Sequence, residues 1–169
     1  MRSLTLPRSP YNWVAIGGTF DRLHKGHKTL LRRAFELGRN VVIGLTTQDM
    51  VRHKPDWESI SSYEDRETEL RHWLDNQGYA GRYLIESLAD PYGPAVTMRE
   101  LDLIVVSEDT LARAKDINQF RRKKGFPLLH IAVVTMVEAE DHISISSTRI
   151  RAGLIDREGR VIYREVVVP

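Results

Sequence analysis

Apolar residues along the chain fall into two alternating patterns. Short apolar runs, bounded by glycine or polar residues, occur at 13–16, 41–45, 101–106 and 128–134, the last two interrupted only by Asp102 and His130, with a weaker one at 82–86. These runs are too short for helices and too continuous for half-exposed strands, so they read as strands covered on both faces. Between them, apolar residues recur at helical spacing. Leu30, Leu31, Ala34 and Leu37 predict a helix over 26–37, with Gly38 at its C-cap. Leu70, Trp73 and Leu74 predict a second over 62–76. Leu111, Ala114, Ile117 and Phe120 predict a third, capped by Ser107 and running to Lys124 before Gly125. A short helix is expected from Ser147, and 161–168 reads as strand-like or loosely packed tail. Residues 1–10 read as an irregular lead-in to a single domain over 1–169. Strands alternating with helices imply parallel pairing through right-handed crossovers. The expected fold is therefore α/β: a three-layer, Rossmann-like parallel sheet with helices on both faces.

Composition narrows the function without fixing it. The 169 residues are 41% hydrophobic and 28% charged, which suits a chain that buries a core. Net charge is only +2, which argues against a tail-driven nucleic-acid binder. There is no cysteine, so disulfides, thiolate metal sites and thiol nucleophiles are excluded. No run of 18 apolar residues occurs and the first ten residues lack an apolar signal-peptide core, so a cytoplasmic protein without membrane or nucleic-acid partners is expected.

Ligands of such sheets sit beyond the carboxyl ends of the strands, so the segments just after strands are the places to seek chemistry. The segment GGTFDRLHKGHK, residues 17–28, follows the first strand and opens the first helix. Gly17 and Gly18 predict a tight turn with close backbone approach to a ligand. The helix N-terminus offers N–H donors and partial positive charge, and His24, Lys25, His27 and Lys28 surround it, a fitting seat for a polyphosphate. Neither a P-loop nor a GxGxxG fingerprint occurs in the chain. A metal site of Asp21, His24 and His27 is a weaker alternative, because no fourth ligand is evident.

The second unusual segment is Ile145-Ser146-Ser147-Thr148-Arg149-Ile150-Arg151. Its hydroxyls can cap a helix or donate to phosphate oxygens, and Arg149 and Arg151 can grip a phosphate with two hydrogen bonds each. Together the two segments predict two helix N-termini converging on one anion. Lys54, in a polar loop after the second strand, could reach an anionic substrate. The run from Arg121 to Lys124 reads as a solvated helix face. Trp57 and Tyr92 lie in loops near the binding edge.

The two segments resemble the hallmarks of the nucleotidylyltransferase superfamily, an HxGH motif after the first strand and an ISSTxIR motif at a late helix. Here they are His24-Lys25-Gly26-His27 and Ile145 to Arg151, about 120 residues apart. With GGTFDRLHKGHKTLL and the SEDT and INQFRRKKG stretches, the chain more specifically resembles the archaeal and eukaryotic type of phosphopantetheine adenylyltransferases over about 12–155. Arg22 is a departure, where many superfamily members carry Pro. The resemblance implies transfer of AMP from ATP, with Mg2+, to 4′-phosphopantetheine, giving dephospho-coenzyme A and pyrophosphate. It implies catalytic roles for His24, His27, Lys54 and Arg151. Thr19 and Lys54 would bind the acceptor. Gly17, Gly18, Thr19, Phe20, Asn118, Arg121, Ser146, Ser147 and Thr148 would line the nucleotide phosphates. Other acceptors, such as nicotinamide mononucleotide, and a non-catalytic nucleotide- or RNA-binding module stay open as alternatives.

Overall fold

The computed structural model describes residues 9–162 and 167–169. The first eight residues of the expected lead-in and residues 163–166 of the expected tail lie outside the described residues. Five strands, β1 (Tyr11–Gly18), β2 (Gly38–Thr46), β3 (Tyr83–Leu88), β4 (Leu103–Ser107) and β5 (His130–Val134), form one parallel sheet in the order β3-β2-β1-β4-β5. The order reverses beside β1: the chain first steps outward to β2 and β3, then returns to β4 on the other side. That reversal opens a crevice at the carboxyl ends of β1 and β4.

Alternate residues of each strand feed the two faces. Val14 and Ile16 of β1, with Val41 and Ile43 of β2, pack under α1 (Lys25–Leu37) and α3 (Tyr63–Asn76) through Leu31, Phe35, Leu70 and Leu74. Ala15, Val42, Ile104 and Val106 point to the other face, against Ala114 and Ile117 of α4 (Leu111–Lys123). The central strands thus carry side chains into two cores, which is why their apolar runs are unbroken. A smaller cluster of Ala139, Ile145 and Ile155 anchors α5 (Ser147–Arg151) and the chain that follows it. No helix among the described residues is long and apolar enough to cross a membrane.

Several boundaries differ from the sequence reading for physical reasons. Gly38 is no left-handed C-cap: its φ of −116° is extended, and it starts β2 directly. The position needs glycine for space, because a Cβ there would lie 2.4 Å from Val14 Cγ2. Gly17 and Gly18 belong to β1, paired with Gly44 and Leu45. The turn after them is made by Phe20 and Arg22, both at φ 50° in the left-handed region. On α4, Phe120 is 39% exposed against Tyr92, while Arg121 faces inward at 0%. A short α2 (Gln48–Val51), capped by Thr47, went unread in the polar stretch after β2.

Candidate active site

The histidine motif is a mutual cap. His24 is the N-cap of α1, and its Nδ1 accepts the N–H groups of Gly26 (3.1 Å) and His27 (3.3 Å). In return, His27 Nδ1 accepts the N–H of His24 at 3.3 Å. A backbone N–H can only donate, so both Nδ1 atoms are unprotonated and each neutral ring carries its proton on Nε2. The rings stack with centroids 3.6 Å apart, and the Phe20 ring supports His27 from 5.3 Å. Gly26 is needed between them, since a Cβ there would meet His24 Cε1 at 2.9 Å. Burial lowers the His24 pKa to about 4, with the charges of Arg157 and Lys28 adding to it. His27 is held well below the ordinary imidazole value by burial first, then by His24 and Lys54. The pair is thus built to donate two Nε2–H hydrogen bonds without carrying charge.

Asp21 ties this motif to the serine segment. It is 1% exposed. Oδ1 accepts from Ser61 N and from Arg22 Nη1, each at 3.1 Å, and Oδ2 accepts from Arg151 Nη1 at 2.8 Å. The Asp21 carbonyl accepts the Ser147 hydroxyl at 2.6 Å. Burial alone would raise the carboxyl pKa, but the Ser61 N–H, then Arg151 and Arg22, outweigh it and leave it below the ordinary value. The left-handed turn at Arg22 also explains the departure at this position: proline, locked near φ −65°, could not adopt φ 50°. Ser146 caps α5 by accepting Arg149 N at 3.3 Å. The amides of Ser147 and Thr148 find no acceptor among the described residues.

On the other side of His27, Lys54 Nζ donates to Thr19 Oγ1 at 2.7 Å. Burial lowers the Lys54 pKa, and the nearby charges of Arg151, Arg66 and Arg113 add to that. Two cavities meet here. One, of about 310 Å³, is polar and lined by Thr19, Asp21, Lys54, Asp56, Thr148 and Arg151; of its two carboxylates, Asp21 is already held by Arg151 and Arg22. The other, of about 250 Å³, has apolar walls from Leu30, Val134, Met136 and Ile145 with Ser107 and Ser146 among them. His27 and Ser147 line both. An apolar-walled cavity and a polar chamber carrying Lys54 and Arg151 thus share one wall of hydrogen-bond donors.

The structure brings His24, His27, Thr19, Lys54, Ser146, Ser147, Thr148 and Arg151 together, and sets other candidates apart. Asn118 bridges the Leu129 backbone, donating to its carbonyl at 2.9 Å and accepting its N–H at 2.8 Å. Arg121 is no solvated cation and no phosphate ligand. Its guanidinium is spent on the carbonyls of Pro127, Ala95, Met98, Arg99 and Leu101. Phe20 is 2% exposed beneath His27 and lines neither cavity. Arg149 is turned to Asp141 and the carbonyls of Ile143 and Ser144. The first amides of α1 are likewise taken, Lys25 N by the Arg157 carbonyl at 2.9 Å and the next two by His24, so the imidazoles replace them as outward donors. The metal alternative does not assemble: among the described residues no three His or carboxylate groups cluster for a metal, and the Asp21 oxygens are bound to Ser61, Arg22 and Arg151.

Residues 15–153 match the family described as cytidylyltransferase-like. A phosphopantetheine adenylyltransferase from Thermococcus gammatolerans is 44% identical over 158 residues, covering 94% of this chain and 99% of the relative. One from Methanothermobacter thermautotrophicus is 44% identical over 154 residues, 91% of this chain and 92% of the relative. Among solved structures, an Archaeoglobus fulgidus protein described as of unknown function superposes with a TM-score of 0.65 at 33% identity, over 72% of this chain and 87% of that one. The helix caps, the converging motifs and this depth of similarity agree: the chain belongs to the phosphopantetheine adenylyltransferases, within the cytidylyltransferase-like nucleotidyltransferases.

Proposed function

We propose that the chain transfers AMP from MgATP to 4′-phosphopantetheine, releasing pyrophosphate and dephospho-coenzyme A. The observation that carries this is the junction of two unlike cavities at His27 and Ser147. The apolar-walled cavity suits a nucleoside, Lys54 and Arg151 in the polar chamber suit the acceptor phosphate, and the α-phosphate would lie at the shared wall. Magnesium enters as part of the nucleotide substrate, held mainly by phosphate and water.

The residues supply alignment and charge stabilisation. The acceptor phosphate is largely ionised at neutral pH, its second pKa being about 6, so it attacks without a general base. Its oxygen forms a bond to the α-phosphorus as the bond to the bridging oxygen of pyrophosphate breaks. Thr19 and Lys54 hold the acceptor and fix its line of approach. The Nε2–H groups of His24 and His27 and the guanidinium of Arg151 meet the negative charge that moves onto the phosphates. Ser146, Ser147 and Thr148 complete the phosphate cradle. Because both imidazoles donate while neutral, charge stabilisation does not depend on protonating them.

Pyrophosphate release with a panel of acceptors tests this reading. Offered MgATP, the protein should release pyrophosphate with 4′-phosphopantetheine and not with nicotinamide mononucleotide or glycerol 3-phosphate. MgCTP should be a poor donor. Release with another acceptor alone would overturn the substrate, and salt-sensitive RNA binding without any release would overturn the chemistry.

A further inference from the structure

One buried cation close to the site belongs to neither motif. Arg66 is 1% exposed and lies in the first turn of α3. Its Nε donates to the Ser61 carbonyl at 3.1 Å, its Nη2 to the Thr46 carbonyl at 2.9 Å and its Nη1 to the Thr19 carbonyl at 2.9 Å. Nη1 also reaches Thr46 Oγ1 at 3.5 Å. Thr46, the last residue of β2, lies with its Oγ1 3.0 Å from Thr19 Oγ1, which Lys54 Nζ approaches to 2.7 Å.

Both ends of this chain can only donate, and the geometry of the hydroxyl pair sets the bond between them. Guanidinium and ammonium groups can only donate. Thr46 Oγ1 accepts from Arg66 and, by the geometry of the pair, donates its own hydrogen to Thr19 Oγ1 3.0 Å away. Thr19 Oγ1 then receives two donors, Thr46 and Lys54, which fill both of its lone pairs. What remains is its single hydrogen, and Thr19 lines the polar cavity that holds Lys54 and Arg151. We propose that Arg66, acting through Thr46, fixes this hydroxyl chain so that Thr19 can only donate toward the cavity, which makes Arg66 and Thr46 positioning residues for the acceptor phosphate. The proposal rests on the AMP-transfer reading, in which that phosphate occupies the chamber. It also gives a reason for acceptor choice. A hydroxyl locked as a donor favours an anionic acceptor group and disfavours one that must itself donate.

The test is steady-state kinetics of wild type, Thr46→Val and Thr46→Ser with MgATP and 4′-phosphopantetheine, with melting temperatures alongside. Thr46→Val should raise the phosphopantetheine KM on the order of tenfold, the cost of one lost polar link, and leave the ATP KM within about twofold. Thr46→Ser, which keeps the hydroxyl, should restore the wild-type acceptor KM. An unmoved acceptor KM in Thr46→Val, or equal loss for both substrates that Thr46→Ser does not restore, would overturn the proposal while the transfer reading stands. No turnover in the wild type would remove the reading and the proposal with it. Neutron diffraction on the wild-type protein needs no variant. It should place the Thr46 deuteron on the line to Thr19 Oγ1, and a Thr19 deuteron pointing at Thr46 would refute the chain.

Discussion

At the scale of single residues, the site depends on where protons are held. His24 and His27 each give Nδ1 to a backbone N–H, so each keeps its proton on Nε2. His27→Ala removes one such donor and should lower kcat by at least about tenfold, roughly 1.4 kcal/mol of barrier, at saturating substrates. The same burial makes stability depend on pH. Unfolded, a histidine binds a proton below 6.5, whereas folded His24 resists it down to about 4, so in that window the unfolded chain holds more protons. Stability is full above 6.5 and falls as pH drops toward 4, by up to about 3 kcal/mol for His24 alone, and His27 acts in the same direction. Urea midpoints at pH 7 and pH 4.5 would show the loss. The histidines and serines were legible because each set is contiguous. Arg66 and Thr46 were not, since only folding brings them to Thr19. Arg66 nonetheless left a trace, four residues before Leu70 and eight before Leu74, on the stripe α3 buries.

At the scale of elements, the alternation of strand and helix was readable because central strands buried on both faces show unbroken apolar runs. The ends were less readable, being set by tertiary packing. Gly38 is the C-cap of α1, but extended rather than left-handed, and it lets α1 run into β2 against Val14. Gly38→Ala should destabilise the fold by about 1–3 kcal/mol by overpacking, measured by chemical denaturation. On α4, the basic run at 121–124 suggested a uniformly solvated face, yet Arg121 falls four residues after buried Ile117 and seven after buried Ala114 and turns inward. There it neutralises five carbonyls between β4, β5 and the turn at 95–101. Arg121→Met would leave those carbonyls unpaired and should cost at least about 3 kcal/mol. The MgATP KM of the folded protein should stay unchanged. A selective rise in that KM without loss of stability would return Arg121 to the site.

At the scale of the whole molecule, parallel topology places every functional loop at one edge of the sheet. The reversal of strand order beside β1 opens the crevice there. Asp21 then joins the two motifs, about 120 residues apart in sequence, through Arg151 and Ser147. The segment after α5 closes the back of the site: the Arg157 carbonyl caps Lys25, and its side chain pairs with Glu69 of α3. No composition or spacing signal marks such a contact, because it depends on the Ala139, Ile145 and Ile155 cluster that folds the chain back. The central claim is that these convergent donors transfer AMP between two cavities. Its most direct test is 31P NMR of the wild-type protein turning over MgATP and 4′-phosphopantetheine. Dephospho-coenzyme A and pyrophosphate should rise in equal amounts, with no ADP. ADP with a newly phosphorylated acceptor, or no turnover despite ATP binding, would contradict the claim.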